Sequence, residues 1–270
     1  TGSGWPSGSA SERPSGRPGT AQGTPVAPDP WLMVSGPAGE LAVHLAGAPG
    51  PARRRALVVP GLPTEAGAAP RTGATFPALA DHLAATVGWQ VAAGCLRGVG
   101  RSPGVFSVRG WQEDLATLVG WLGGPVWLVG FGLAGTLALC LAASEPAVVG
   151  VAALGAPADL GPWLADPEEA LAGARRLGVV PAGSPLDPTA WAAEGLGIDP
   201  LAAVARLSSR PVLLVHGQDD EVVPVQHARD LAAAGGEAVE LRVLAGAGHR
   251  LRADPRVVAL LIGWLERQGA

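Results

Sequence analysis

Between residues 31 and 268, short apolar runs alternate with segments of helical periodicity, and this alternation constrains the chain more than any other feature. A strand that rejoins its neighbour in parallel needs a crossover, usually a helix, so the pattern signals a mostly parallel sheet with helices on both faces. Strands are expected at residues 31–34, 41–45, 56–59, 89–93, 126–129, 148–154, 211–215 and 238–244. The first two have no helix between them and read as an antiparallel pair. Helical spacing marks 76–87, where Leu79, Leu83 and Val87 share a face, and also 110–122, 133–144, 225–234 and 255–268. From about 157 to 209 the alternation breaks into Pro, Gly and short helical pieces carrying Trp163 and Trp191, which reads as a cap inserted over the sheet. Residues 1–28 are rich in Gly, Ser and Pro and are expected to form a flexible tail without the apolar stretch of a secretory signal. Residues 29–270 are expected to form one α/β domain.

Composition removes several function classes. With 48% hydrophobic and 16% charged residues, the chain has enough apolar surface to bury a core. A net charge of −4 and a pI near 5.7 argue against a general nucleic-acid binder. Cys95 and Cys140 make neither a disulfide framework nor a zinc site, and His44, His82 and His227 fall in no ligand spacing, so no metal and no cofactor is expected. Residues 126–143 form an apolar run long enough to span a bilayer. Gly130, Gly132 and Gly135 interrupt it and Pro125 precedes it, so a core strand turning into a core helix is the preferred reading; a cytoplasmic location is expected. Every basic residue is Arg, and Lys, Asn and Tyr are absent, a bias that points to a high-GC bacterial genome. An Arg at any one position therefore says little about function.

Three loops follow three expected strand ends: Gly130-Phe131-Gly132-Leu133-Ala134-Gly135, His216 to Pro224, and Gly246-Ala247-Gly248-His249. In an open parallel sheet, ligands bind beyond the carboxyl ends of the strands, so these loops are placed to converge. The first also fits the dinucleotide pattern G-x-G-x-x-G. That reading is weak, because Ala153, Leu154 and Gly155 stand where the ribose-binding acid belongs, and the motif lies mid-chain.

These loops, with 76–83 and Leu96-Arg97-Gly98-Val99-Gly100-Arg101-Ser102, resemble the α/β-hydrolase superfamily in the order nucleophile, acid, histidine. The resemblance covers nearly all of residues 31–268. It implies an α/β-hydrolase fold, with Asp220 as the acid and His249 as the histidine. Asp219 is the rival acid; Asp220 is preferred because it stands four residues before Pro224. The resemblance also implies an oxyanion hole formed by the amides of Leu62, after Pro60-Gly61, and Leu133. The nucleophile position falls on Gly132. The usual elbow reads G-x-S-x-G, and here no hydroxyl, thiol or carboxylate is present. Pro60, Cys95 and Val99 also depart from the residues common in the family. Cys95 lacks any neighbour that would lower its pKa, so it is a poor surrogate nucleophile.

An elbow nucleophile sits in a φ > 0 turn that costs about 1–3 kcal/mol for a residue with a Cβ, whereas glycine adopts it almost freely. Three functional readings follow. In the first, the chain is a hydrolase relative without covalent catalysis, either a pseudo-hydrolase or a His-Asp dyad enzyme acting on a small apolar molecule. In the second, it is a binding or sensor protein that uses the same pocket. In the third, a serine esterase has had its nucleophile replaced by Gly. His216 is expected as an ordinary strand-end histidine, Cys140 as core, Trp163 and Trp191 as cap packing, and Arg175-Arg176 as a solvated helix face.

Overall fold

The computed structural model describes residues 31–48, 54–207 and 209–269. The proposed tail, 1–28, lies outside them. Eight strands form one sheet: β1 (Trp31–Gly36), β2 (Gly39–Ala46), β3 (Arg55–Val59), β4 (Gln90–Gly94), β5 (Val126–Phe131), β6 (Val148–Leu154), β7 (Val212–Gly217) and β8 (Val239–Leu244). Their spatial order is β1-β2-β4-β3-β5-β6-β7-β8. The β1–β2 and β2–β4 pairs are antiparallel, and every later pair is parallel. This is the sheet the alternation predicts, open at both edges.

Helices cover both faces. On one, α1 (Phe76–Val87) and α9 (Pro255–Gly269) bury Leu79, Leu83, Leu261 and Trp264 against Val58, Val129 and Val215. On the other, α2 (Val108–Leu122) and α3 (Leu133–Ala142) bury Trp111, Leu115, Leu118 and Leu137 against Leu57, Leu128 and Val151. Thus β3, β5, β6 and β7 are apolar on both faces, which is why they read as continuous runs rather than alternations. The apolar run 126–143 divides into β5 and α3, with Gly132 as the turn between them. No helix among the described residues is long and apolar enough to cross a membrane.

Two helix ends lie two residues from expectation, each through a side-chain cap. Helix α2 begins at Val108 rather than 110, because the Ser107 hydroxyl accepts the Gly110 N–H at 3.0 Å. Helix α3 ends at Ala142 rather than 144. The Arg210 guanidinium reaches the carbonyls of Ala142, Glu145 (3.0 Å) and Val148 (2.9 Å), supplying donors and positive charge at a helix C-terminus.

Between β6 and β7 lie α4 (Gly161–Leu164), α5 (Pro167–Leu177), α6 (Pro188–Leu196) and α7 (Pro200–Ala205). The last three each start at an Asp-Pro pair. Asp166, Asp187 and Asp199 accept the N–H of Glu169, Ala190 and Ala202 at 3.1, 2.7 and 2.9 Å, and the following Pro occupies the first helical turn, where its missing N–H costs nothing. Helices α5 and α6 pack on each other, while α7 packs on α3 and on α8 (Gln226–Gly235) and so belongs to the body.

Candidate active site

The turn between β5 and α3 carries glycine at three positions, which differ in what a Cβ would cost. A Cβ on Gly130 would fall 2.6 Å from the Ala134 carbonyl group, and one on Gly135 would fall 2.8 Å from the Gly130 oxygen, so close approach of strand and helix requires both. Gly132 is different. It has φ 53° and ψ −129°, a conformation strained for residues with a Cβ, yet a Cβ there would meet nothing nearer than Gly61 Cα and His249 Nε2, both at 3.9 Å. Its backbone is held on both sides: the N–H donates to the Leu154 carbonyl at 2.7 Å, and the carbonyl accepts from Gly135 at 2.9 Å. The geometry of an elbow is present, with open space where its side chain would project.

The loop after β7 and the loop after β8 are laced together. Gln218 N–H donates to Leu244 O and Asp219 N–H to Ala247 O, each at 2.9 Å. A Cβ on Gly217 would fall 2.3 Å from the Ala247 oxygen, so only glycine lets the two backbones come this close. This lacing brings together Asp220 and His249, whose Nδ1 lies 2.8 Å from Asp220 Oδ2. The Asp220 carboxyl is buried and also accepts the N–H groups of Val222 (2.9 Å) and Val223 (2.8 Å). Burial opposes its ionisation. The hydrogen bonds from His216, His249 and Val223 outweigh that and hold the carboxyl well below the usual range. Asp219, the alternative acid, is exposed.

His216 does more than end a strand. Its Nε2 donates to the Val223 carbonyl at 2.8 Å and lies 3.4 Å from Asp220 Oδ2. It therefore pins both the acid and the turn that carries it. Spacing along the chain carries no sign of this, because the contact closes only when residues 217–223 fold back over β7. The glycine-rich loop after β4 contributes a brace and no site residue. The Arg97 backbone N–H and guanidinium bind Asp114, with contacts of 2.6–2.9 Å, and Ser102 joins Cys95 O to Ala42 N.

Gly61 approaches the elbow so closely that a Cβ on it would fall 2.4 Å from Phe131 O, which sets Leu62 beside Gly132. Leu133 opens α3, so its N–H belongs to the first turn, whose donors have no partner within the helix. Gly132, Leu62 and His249 border two cavities. One, of about 570 Å³, runs beneath the cap and is walled by Leu133, Leu160, Trp163, Leu177 and Trp191. The other, of about 370 Å³, lies on the far side of His249, against Phe76 and Phe131. Trp163 and Trp191 thus line the cap cavity as well as packing the cap; the Trp191 indole donates to Phe106 O at 3.0 Å, and Trp163 lies against the His227 ring. Arg176 also borders this cavity while pairing with Glu169, and Arg175 donates to Ser184 O, so the pair is more than a solvated face. Both thiols are pushed up to about 11, chiefly by burial. Neither is a usable nucleophile at neutral pH. Among the described residues, no group of His, Cys, Asp and Glu could hold a metal ion.

Strand order, a glycine elbow after β5 and an Asp-His pair after β7 and β8 together decide the architecture. The chain has the α/β-hydrolase fold. Solved α/β hydrolases superpose on most of it. The mouse alpha/beta hydrolase domain-containing protein 10 matches with TM-score 0.62 and 21% identity, over 88% of this chain and 97% of that one. A thermophilic esterase from Thermogutta terrifontis gives 0.64 and 21%, over 88% and 98%. A bromoperoxidase from Bacillus anthracis gives 0.64 and 17%, over 88% and 99%. In sequence, the prolyl oligopeptidase family matches residues 186–269, the part of the α/β-hydrolase fold here that carries Asp220 and His249 but not the elbow. A search among curated proteins finds none similar in sequence. The dinucleotide reading of 130–135 gains nothing, since the loop follows the fifth strand and the end of β6 carries no acid.

Proposed function

We propose that this protein binds a small, largely apolar molecule in the cleft between Gly132 and the cap, and acts on it without a covalent acyl-enzyme, through the His249–Asp220 dyad. The observation that carries this reading is the pairing of an oriented imidazole with an elbow that lacks a side chain. With Nδ1–H donating to Asp220, His249 presents the Nε2 lone pair toward Gly132, where water or a ligand proton would sit. In the same reading, the Leu62 and Leu133 amides take an oxygen that gains negative charge, and the cap cavity takes the apolar portion of the ligand. Loss of the nucleophile alone removes most of the rate acceleration of a triad enzyme, and what persists comes from the oxyanion hole and binding.

The wild-type chain should therefore resist labelling by a fluorophosphonate, and stoichiometric labelling at any residue overturns the proposal. A second reading, a binding or sensor protein, is favoured by the same missing side chain. The two part on one comparison: general-base turnover of a water-labile ester by wild type falls to background in His249→Ala, whereas a sensor shows no turnover in either form.

A further inference from the structure

We propose that the smaller cavity, on the side of His249 away from the cap, is a carboxylate-recognition subsite in which Arg252 binds the acid group of the ligand. The inference rests on the cleft being a small-molecule site and adds a chemical class to it. Arg252 lies three residues beyond His249, on the short 3₁₀ turn Leu251–Ala253, and borders the same cavity as Gly132 and His249. It is half-buried, its Nε is enclosed, and that Nε has no hydrogen-bond partner among the described residues. Nη2 donates to the Thr75 carbonyl at 2.7 Å, and the guanidinium lies 5.8 Å from the centre of the Phe76 ring. These two contacts fix its plane without neutralising its charge.

No carboxylate among the described residues pairs with Arg252, whereas Arg97, Arg176, Arg242, Arg250, Arg256 and Arg267 each pair with one. Its neighbour Arg250 also borders the cavity but is bound to Glu65. Of the two arginines that border this cavity, Arg252 is thus the one with no carboxylate partner among the described residues, and it lies beside an aromatic wall in which Phe76 and Phe131 meet edge to face at 5.1 Å. A half-buried guanidinium without a carboxylate partner is stabilised by a charge-assisted hydrogen bond, which a carboxylate in the cavity offers. The remaining surface suits an aryl or short alkyl group attached to that acid.

The test uses two probes of equal shape, 3-phenylpropanoate and 3-phenylpropanamide, titrated into the full chain and into Arg252→Met. Wild type should prefer the acid by at least about tenfold, the fold-change expected of one hydrogen-bonded charge pair. Arg252→Met should lose that preference and keep its affinity for the amide. Independently of whether this variant folds, the Arg252 Nε–H resonance of wild type should shift with the acid and stay in place with the amide. Equal binding of the two probes, or an acid preference that survives in Arg252→Met, overturns the subsite and leaves the cleft reading standing. Binding of neither probe at millimolar concentration overturns both.

Discussion

His249 Nε2 lies 3.9 Å from the point where a Cβ on Gly132 would stand, while Nδ1 of the same ring lies 2.8 Å from Asp220 Oδ2. One C–O bond beyond that Cβ falls within hydrogen-bonding range of the imidazole. In the proposed reading, the site is a triad that lacks one member while the other two stay in register.

Asp220→Asn keeps the shape and removes the charge. The acid accepts from His249, Val222 and Val223 and is buried, so the change should cost about 1–3 kcal/mol, read from the urea midpoint. The pH dependence follows from its lowered pKa. The unfolded chain takes up the proton near pH 4 while the folded chain resists it, so wild-type stability should fall as pH drops below about 4. Asp220→Asn should flatten that limb of the curve.

Gly217→Ala should separate the acid and histidine loops. Its Cβ would meet the Ala247 oxygen at 2.3 Å and the Gly248 oxygen at 2.6 Å, both backbone atoms with little room to yield. Destabilisation of about 1–3 kcal/mol or more is expected, with loss of the slow-exchanging amide of Asp219 in hydrogen-exchange measurements.

The base of the cap should respond to mild acid. His227 Nδ1 accepts the Ala158 N–H at 3.1 Å, and its ring lies against Trp163. Burial, reinforced by nearby His216, lowers its pKa. The unfolded chain therefore binds the proton first, and this contact loses stability as pH falls below about 6.5. Exchange at Ala158, corrected for intrinsic rate, should be faster at pH 5.5 than at pH 7.5. Equal protection at both values contradicts the assignment.

Gly120→Ala serves as a control far from the site. The position is exposed inside α2, and a Cβ there meets nothing within 4 Å, so helix propensity alone should raise stability by about 0.5–1 kcal/mol. Activity and ligand binding should not change.

The sheet and its order of strands and helices were legible because four central strands are apolar on both faces and the helices carry clear stripes. Gly132, Asp220 and His249 could be picked out because each lies in the loop that follows the carboxyl end of a strand. The Asp-Pro starts at Asp166, Asp187 and Asp199 were present in the sequence and mark α5, α6 and α7, but N-terminal signals of this kind are invisible to a reading based on apolar periodicity. His216 and Arg252 were not legible. The contact of His216 with Asp220 depends on a loop folding back, and the role proposed for Arg252 rests on a missing partner, which only three-dimensional proximity reveals. In a chain whose basic residues are all Arg, no single Arg stands out by type.

The central claim, that only the nucleophile is missing, is tested most directly by Gly132→Ser. The substitution should cost about 1–3 kcal/mol in backbone strain and leave the fold intact. Its p-nitrophenyl butyrate hydrolysis should rise well above wild type, vanish in Gly132→Ser/His249→Ala, and be blocked by one fluorophosphonate per chain at residue 132. A folded Gly132→Ser chain that neither hydrolyses the ester nor takes up the label would contradict the account.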